Sequence, residues 1–331
     1  MSRSGAPICR ATPAAIERAA ELLRGGGVVG FPTETVYGLG AHAMNGRSVA
    51  RVFEIKGRPR FDPLIVHVPQ FESVRALADD VPPLAERLAR RFWPGPLTLV
   101  LPKRPAVPDI VTAGLATVAV RCPDHPVAAD LLRRAGIPVA APSANRFGGL
   151  SPTTAEAVAE QLGDGPDLIL DGGPCPVGLE STILAIEDNV AVLLRPGGLA
   201  LEEIEADIGF VRTAPAVDAR PLAPGRLARH YAPRTPLTLL SDTPPSASAA
   251  RRSGWVGLRP PPDAARYAAV EPLSPSGDLR EAAAQLFAAL RRLDALGLER
   301  IFAEPVPAVG LGRAINDRLR RAAAGGGARP G

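Results

Sequence analysis

The sequence predicts an α/β protein built from a large and a small domain. Short runs rich in β-branched residues, such as L-I-V-H-V at 64–68, alternate with amphipathic helical stretches, a pattern typical of sheets covered by helices. The 331 residues exceed what a single hydrophobic core usually organises. From 210 to 234 the periodicity disappears and proline accumulates, which indicates a linker between the two domains.

Composition limits the class of protein. Hydrophobic residues make up 46% of the chain but aromatic residues only 4%, so the cores must be built from Val, Leu, Ile and Ala. The net charge of +4 permits an anionic ligand without indicating a nucleic-acid binder. The three cysteines form no C-x-x-C pair, and no apolar run has membrane-spanning length. We therefore expect a cytoplasmic protein that does not contact a membrane.

Local signals place the elements of the first domain. Thr12 and Pro13 begin a helix that ends before Gly25, and Asn45 caps a second helix at 46–55. Pro32 ends a strand at 28–31, and a polar loop is expected after it. Further helices are predicted at 83–92, 128–134, 153–161 and 201–208. Further strands are predicted at 64–68, 96–101, 117–121, 137–141 and 167–171, with a hairpin of 180–186 and 190–195.

The same signals place the small domain after the linker. Strands are predicted at 236–240, 255–258 and 300–303, with helices at 279–296 and from about 312. The predicted boundaries are 10–209 for the first domain, 210–234 for the linker, 235–322 for the small domain and 323–331 for a disordered tail.

Polar residues recur at the ends of the predicted strands. Thr35 follows the first strand, His67 lies in L-I-V-H-V, Arg121 closes T-V-A-V-R, and Ser143 and Asn145 follow I-P-V-A-A. If these strands share one sheet, their ends form a single basic, hydroxyl-rich cleft. His67 considered alone is more typical of a packed strand histidine than of a ligand.

Two cations next to this cleft suit a polyphosphate. Lysine occurs only at 56 and 103, and Lys56 lies one residue from Arg58 at a helix end, where the two can clamp phosphates. The segment G-L-G-A-H-A at 38–43 is not expected to be a dinucleotide fingerprint, because Asn45-Gly46 interrupts the helix it should open. The sequence contains no P-loop motif and no zinc-ligand spacing.

An ordered set of motifs resembles the YrdC family. The set is F-P-T-E-T-V-Y-G-L-G, K-G-R-P, P-L-I-V-H-V, P-G-P-L-T, V-A-V-R, A-P-S-A-N, S-P-T and G-L-E-S-T-I, within about residues 10–209. The linker motif R-H-Y-A-P and the small α/β domain resemble the two-domain members, which are L-threonylcarbamoyladenylate synthases. The resemblance implies a twisted open mixed sheet with a smaller Rossmann-like α/β domain.

The resemblance also implies a reaction. L-threonine, bicarbonate and ATP, with Mg²⁺, would give threonylcarbamoyl-AMP and pyrophosphate, which makes the chain a nucleotidyltransferase. The product would pass to tRNA threonylcarbamoyltransferase proteins that modify tRNA, and the resemblance allows a weak contact with RNA. No covalent enzyme intermediate is expected, so positioning and charge stabilisation would carry the catalysis.

The family motifs assign roles to residues of this chain. Lys56 and Arg58 would be the catalytic cations, and Arg121 would bind the threonine carboxylate. The implied threonine site consists of Thr35, His67, Arg121, Ala141 and Ser181. The implied ATP site consists of Lys56, Arg58, Asp62, Thr117, Ser143, Asn145, Ser151, Arg195 and Tyr231. Asp62 departs from the family, which usually has asparagine there, and no metal ligands are assigned.

Three further expectations remain open at this point. Arg229, His230 and Tyr231 of the linker are predicted to fold over the cleft as a lid when ATP binds. One alternative function is an RNA-binding module of the same fold, although stacked aromatics and a dense basic run are missing from the sequence. The other alternative is an enzyme that handles carbamoyl phosphate, as in YrdC-like domains of larger carbamoyltransferases.

Overall fold

The computed structural model describes residues 5–214, 230–241 and 245–324. Within these ranges the chain forms a mixed sheet of eleven strands and a separate parallel sheet of four strands, both covered by helices. The predicted α/β class, with a large mixed sheet and a smaller parallel one, is confirmed. No helix in the described residues combines the length and apolarity needed to cross a bilayer.

The large sheet takes its strands from residues 8–213. Its spatial order is β1-β8-β2-β3-β7-β4-β6-β5-β9-β10-β11. The strands are β1 (Ile8–Arg10), β2 (Val29–Phe31), β3 (Gly38–His42), β4 (Ile65–His67), β5 (Leu97–Pro102), β6 (Thr117–Arg121), β7 (Val139–Ala140), β8 (Leu168–Asp171), β9 (Thr182–Glu187), β10 (Val190–Arg195) and β11 (Arg212–Thr213).

Helices pack on this sheet and begin where the capping residues predict. Thr12 Oγ1 accepts the backbone N–H of Ala15, and Asn45 Oδ1 accepts those of Arg47 and Ser48. The helices are α1 (Pro13–Arg24), α2 (Gly46–Lys56), α3 (Pro83–Phe92), α4 (Asp109–Thr112), α5 (Pro126–Ala135), α6 (Ala155–Leu162) and α7 (Leu201–Ile208), with a 3₁₀ turn at Phe71–Ala76.

The small sheet has the order β12-β15-β13-β14 and all its strands are parallel. Its strands are β12 (Leu237–Leu239), β13 (Ser253–Gly257), β14 (Ala269–Pro272) and β15 (Arg300–Ala303). Its helices are α8 (Ala247–Ala250), α9 (Leu279–Ala295) and α10 (Gly312–Ala323), with a 3₁₀ turn at Ala264–Arg266.

Strand β3 lies where the sequence predicts a loop. It pairs antiparallel with β2 on one side and with β7 on the other. A Cβ added at Gly40 would lie 2.8 Å from side-chain atoms of both Phe31 and Val139. Glycine therefore lets a central strand pass between bulky neighbours, and that packing cannot be seen in local β-propensity. A dinucleotide fingerprint at 38–43 would open a helix, whereas residues 38–42 form a strand.

The two domains share one apolar core at their junction. Val36, Leu150 and Leu179 from the first domain belong to the same buried cluster as Leu286 and Phe287 of α9. A chain truncated near residue 209 would leave this face uncovered, which costs roughly 25 cal/mol for each Å² of apolar surface returned to water. Point substitutions therefore test the role of the second domain more cleanly than truncation.

Gly178 marks a close approach of the two domains. Its φ is +72°, and an added Cβ would lie 2.5 Å from both the Ala283 carbonyl oxygen and the Ala284 Cα. These are backbone atoms of α9, so they cannot move aside as a flexible side chain would. Only glycine lets α9 pack this tightly against the first domain.

We expect Gly178→Ala to weaken the junction. Overpacking should lower the free energy of unfolding by about 1–3 kcal/mol beyond the backbone strain itself. The matched control is Gly173→Ala, because Gly173 has a similar φ of +83° and nothing within 4 Å of its added Cβ. Urea denaturation of both variants measures the difference, and equal destabilisation would show that the close approach to α9 contributes nothing.

Candidate active site

The cavity lies where several strands of the large sheet end. His67 closes β4 and Arg121 closes β6, and the two residues are direct partners in the parallel register. Because alternate residues of a strand share a face, both side chains lie on the face that carries Ile65 and Ala119. The cavity is lined by Thr33, Thr35, Val36, Gly38, Arg58, Ile65, His67, Arg121, Ala141, Pro142, Ser143, Glu180, Ser181, Arg195, His230 and Tyr231.

The charge of the lining suits a small anionic or zwitterionic ligand. The lining contains Arg58, Arg121 and Arg195 but a single carboxylate, that of Glu180. The excess of cations favours a ligand that carries negative charge.

Three internal partners hold Arg121 in place. Nη1 donates to Thr35 Oγ1 at 2.8 Å, and Nε donates to the Gly95 carbonyl oxygen at 3.3 Å. Nη2 lies 2.6 Å from Glu34 Oε1 in a buried ion pair. Thr35 in turn shares a 2.8 Å hydrogen bond with Thr33. The P-T-E-T loop therefore orients the guanidinium before any ligand arrives. Sequence reasoning assigned no role to Glu34.

His67 is neutral in the folded protein. Burial first, and then the positive charge of Arg121, lower its pKa to about 3. Its ring meets Phe31 edge-on at 6.1 Å between centroids. Its Nδ1 is buried and has no hydrogen-bond partner in the described chain. The ring is therefore a neutral polar group whose open nitrogen a ligand can satisfy, and it is not a second cation.

Arg58 reaches the cavity but is already paired with Asp62. Its Nη2 lies 2.9 Å from Asp62 Oδ2 and donates to the Pro63 carbonyl oxygen at 2.8 Å. Nε donates to the Asp62 carbonyl oxygen at 3.2 Å. Burial raises the pKa of Asp62, and Arg58 opposes that shift. The structure thus places an arginine beside the unusual aspartate, although neither Asp62 side-chain oxygen has a hydrogen-bond partner among the described residues.

Lys56 does not line the cavity; it donates hydrogen bonds to the P-S-A-N loop. Its Nζ donates to the carbonyl oxygens of Ser143 and Asn145, both at 2.5 Å, and lies 3.4 Å from Asn145 Oδ1. These contacts use the donors of one ammonium group. Burial, and then the charge of Arg58, lower the pKa of Lys56 well below its ordinary value. This geometry indicates that Lys56 acts on the loop, which differs from the predicted direct contact with phosphate.

Asn145 and Arg195 also have internal hydrogen bonds. Asn145 Nδ2 donates to the carbonyl oxygens of Arg146 and Gly149, at 2.7 and 2.9 Å. Arg195 Nη2 donates to the Ser181 carbonyl oxygen at 2.8 Å, and Ser181 Oγ lies 2.7 Å from Thr98 Oγ1. Asn145 therefore shapes the loop after β7, while Arg195 and Ser181 lie together in the lining.

Linker residues form one wall of the cavity. His230 and Tyr231 are buried and line the cavity, whereas Arg229 lies outside the described residues. Tyr231 has a left-handed backbone with φ of 60°, and its ring packs against Phe287 of α9 at 5.7 Å. In the described part of the chain, Tyr231 Oη and His230 Nδ1 have no hydrogen-bond partner. Buried polar atoms without partners are expensive, so a ligand that satisfies them is favoured.

The structure separates the predicted residues into two groups. Lys56, Asp62, Thr117, Asn145 and Ser151 lie outside the lining of the cavity. Thr117 begins β6 at the opposite end from Arg121, although strand alternation puts it on the same face. The residues that the structure brings together in the lining are Thr35, Arg58, His67, Arg121, Ala141, Ser143, Ser181, Arg195 and Tyr231.

Besides Glu34, two further charged residues of this region had no predicted role. Glu180 lies in the G-L-E-S-T-I motif and accepts a hydrogen bond from Ser151 Oγ. Its Oε2 accepts a 2.8 Å bond from Arg318 Nε of α10. A sequence signal exists for Arg318, because it falls on the same helical stripe as Ile315, Leu319 and other buried residues of α10. A charged residue inside an apolar stripe indicates a buried partner.

No ready metal centre is present in the described residues. No three His, Cys, Asp or Glu side chains cluster there in a way that could hold an ion. The carboxylates next to the cavity are each matched to an arginine, as Glu34 is to Arg121. Cys122 and Cys175 are buried, and burial raises the pKa of their thiols to about 11 and about 12. They pack as small apolar side chains.

The neutral state of His67 can be tested by titration. We expect histidine NMR signals, assigned with His67→Gln, to show that His67 does not protonate between pH 8 and pH 5, since its pKa is about 3. A titration of His67 near pH 6.5 would contradict the account of its burial. In the unfolded chain the pKa of His67 has its ordinary value of about 6.5. Between about pH 3 and about pH 6.5 the unfolded state therefore binds a proton at His67 that the folded state does not bind. Stability is therefore lost as the pH falls below about 6.5, with His67 alone removing about 2 kcal/mol by pH 5.

Each of the two domains matches a model of a known protein family. Residues 21–197 match the Sua5/YciO/YrdC family model, described as "Telomere recombination". Residues 199–324 match a model described as "Threonylcarbamoyl-AMP synthase, C-terminal domain". The threonylcarbamoyl-AMP synthase of Pyrococcus abyssi is 44% identical over 323 residues, covering 93% of each chain. That of Bacillus subtilis is 44% identical over 324 residues, covering 94% of this chain and 93% of its own.

Solved structures agree with this assignment. A crystal structure of P. abyssi Sua5 in complex with L-threonine superposes with a TM-score of 0.87 at 43% identity, covering 96% of both chains. Escherichia coli YciO superposes with a TM-score of 0.51 at 25% identity and covers 60% of this chain. The resemblance seen in the motifs is thus confirmed, and the chain belongs to the Sua5/YciO/YrdC family, with the additional C-terminal domain of its threonylcarbamoyl-AMP synthases.

Proposed function

We propose that the protein is an ATP-dependent threonylcarbamoyl-AMP synthase. It would convert L-threonine, bicarbonate and ATP into threonylcarbamoyl-AMP and pyrophosphate. The observation that carries the proposal is the fixed guanidinium of Arg121 beside the neutral ring of His67, in a cavity that several hydroxyl groups line. The relatives described above, which bear this name and include a threonine-bound structure, support the same activity.

The amino-acid end of the cavity suits threonine. Arg121 is a planar donor that can bind a carboxylate at two points. Since His67 carries no charge, the carboxylate has one strong cationic partner instead of two. The hydroxyls of Thr35 and Ser181 and the small side chain of Ala141 complete this end, within the same lining as Arg121.

The nucleotide end is proposed around Arg58, Arg195 and Tyr231. Arg58 and Arg195 can approach phosphates directly, because both line the cavity. Lys56 and Asn145 contribute indirectly by fixing the loop that carries Ser143. Ser151, Asp62 and Thr117 remain proposed nucleotide residues that would contact ATP only at the margin of this cavity.

The chemistry needs positioning more than covalent catalysis. The amine of threonine takes up carbon dioxide derived from bicarbonate and forms a carbamate. A carbamate oxygen then attacks the α-phosphorus of ATP, and the bond to the pyrophosphate oxygen breaks. Preorganised cations stabilise the charge on the leaving group. The wall formed by His230 and Tyr231 would exclude water from the labile carbamate and from the mixed anhydride.

Mg²⁺ is proposed to enter with ATP, held by the phosphates. Magnesium in such sites usually keeps several waters and takes few protein ligands. The described residues offer no cluster of three ligands, so no step is assigned to protein–metal contacts. The product, an activated acyl group, would be consumed by tRNA threonylcarbamoyltransferase proteins in the cytoplasm.

The activity can be tested with purified full-length protein. We expect pyrophosphate release that requires L-threonine, bicarbonate, ATP and Mg²⁺ together, with threonylcarbamoyl-AMP identified by mass spectrometry. Release from ATP and carbamoyl phosphate without threonine would favour the carbamoyl-phosphate alternative. RNA binding with no threonine-dependent release would favour an RNA-binding module and overturn the proposal.

Arg121→Lys should affect threonine more than ATP. A lysine provides a point charge but cannot reproduce the fork that Thr35, Gly95 and Glu34 hold in place. We expect the KM for threonine to rise by about tenfold or more, with a smaller change in the KM for ATP. Steady-state kinetics on both substrates measure this, and an equal rise in the two KM values would remove Arg121 from the amino-acid end.

Arg58→Ala and Lys56→Ala should differ in their effect on stability. Arg58→Ala should lower turnover by about 10²–10³-fold, as when one preorganised donor is removed, whereas Lys56→Ala should lower turnover only through displacement of the loop that carries Ser143. Lys56→Ala should also lower the melting temperature, since it frees two buried carbonyl oxygens. Lys103→Ala is the control, because that lysine pairs with the exposed Asp109. Normal turnover in Arg58→Ala would remove Arg58 from the nucleotide end.

A further inference from the structure

We propose that Arg318, on α10 of the second domain, is a positioning residue for the cavity. It does not line the cavity, but it holds two residues that do, Glu180 and Tyr231. The second domain would therefore complete the active site through a buried side chain and would not merely anchor the linker. The kinetic part of this inference rests on the proposed function, whereas its structural part does not.

Arg318 is buried deeply between the domains. It is 0% exposed, and its Nε donates to Glu180 Oε2 at 2.8 Å. Its Nη1 donates to Asp317 Oδ2 at 2.6 Å, and Asp317 also accepts from Arg321 Nε at 3.1 Å. An arginine so placed is stable only while its carboxylate partners remain, because an unpaired buried charge is strongly destabilising.

Glu180 connects Arg318 to the loop after β7. Its Oε2 accepts from Arg318, while its other carboxylate oxygen accepts from Ser151 Oγ. Glu180 itself lines the cavity, next to Ser181 at the amino-acid end. Arg318 and Arg195 lower the pKa of Glu180, although burial opposes that shift. Without Arg318, the buried carboxylate of Glu180 would lose its main cationic partner. It would then shift its position or be hydrated by water that enters the site.

Arg318 also contacts Tyr231 through its guanidinium group. The guanidinium carbon of Arg318 lies 4.9 Å from the centre of the Tyr231 ring, a cation–π contact. Phe287 packs on the ring as well, and the His230 backbone N–H donates to the Arg321 carbonyl oxygen at 3.4 Å. Tyr231 keeps a left-handed backbone, which persists only when its surroundings fix it. Helix α10 supplies much of that constraint.

The test compares Arg318→Met with Arg320→Met in the full-length protein. Arg320 lies two positions along the same helix and is exposed, so it controls for the loss of a helix arginine. We expect Arg318→Met to raise the KM for ATP by about tenfold to a hundredfold, as small displacements of positioning groups do. The KM for threonine should rise less, because Arg121 is not among the contacts of Arg318. Arg320→Met should leave both KM values unchanged.

A double variant separates positioning from simple loss of folded protein. In Arg318→Met/Glu180→Gln the uncompensated carboxylate is gone, so ATP binding should be tighter than in Arg318→Met alone. A purely structural arginine would lower the folded fraction and the melting temperature without changing the KM of the molecules that remain folded. If Arg318→Met does not fold, Arg318→Lys, which keeps the charge, and the double variant decide by the same comparison.

Hydrogen exchange provides a readout that is independent of activity. Amides at 147–151 and 230–232 should exchange faster in Arg318→Met than in wild type, and no faster in Arg320→Met. Failure of the wild-type protein to release pyrophosphate would refute the proposed function and leave this comparison intact. Unchanged exchange, together with a KM for ATP within about twofold of wild type, would overturn the role of Arg318.

Discussion

The structure depends on the pairing of buried charges around one cavity. Removing an ion from water costs several kcal/mol, which is recovered only when a partner of opposite charge and good geometry is present. This chain places its own carboxylates within ion-pair distance of buried arginines. Glu180 is also hydrogen-bonded to its arginine, whereas the side-chain oxygens of Glu34 and Asp62 have no hydrogen-bond partner among the described residues. The three buried pairs next to the cavity are Arg121 with Glu34, Arg58 with Asp62, and Arg318 with Glu180.

The ion pairs lower the cost of binding a ligand. The guanidinium groups are held in place by the protein, so a ligand does not have to order them and the associated entropy cost falls. The carboxylates cancel part of the positive charge, yet the lining still carries more arginines than acids. Neutral His67 and the hydroxyl of Tyr231 add polar atoms that have no hydrogen-bond partner among the described residues. The cavity is therefore prepared for an anionic ligand with several hydrogen-bonding groups.

Features with local causes were predictable from the sequence. Helices α1 and α2 begin directly after their capping residues Thr12 and Asn45, because a cap acts within one helical turn. The strand ends that carry His67 and Arg121 were also predicted, and the structure makes those two residues register partners. The family motifs pointed to most of the residues that line the cavity.

Features with distant causes were not predictable. Lys56 bonds to the Asn145 carbonyl oxygen across 89 residues of sequence, and Glu180 meets Arg318 across 138. No local pattern reports contacts of that range, so the bracing role of Lys56 and the part played by α10 emerge only from the fold. Strand β3 was missed for a similar reason, since the need for Gly40 arises from its neighbours Phe31 and Val139.

We propose that this single cavity binds both an amino acid and a nucleotide. The most direct measurement is a crystal structure of the full-length protein with L-threonine and a non-hydrolysable ATP analogue. We expect the threonine carboxylate on Arg121 and the triphosphate against Arg58 and Arg195, under the wall formed by His230 and Tyr231. Threonine bound away from Arg121, or a nucleotide bound outside this cavity, would contradict it.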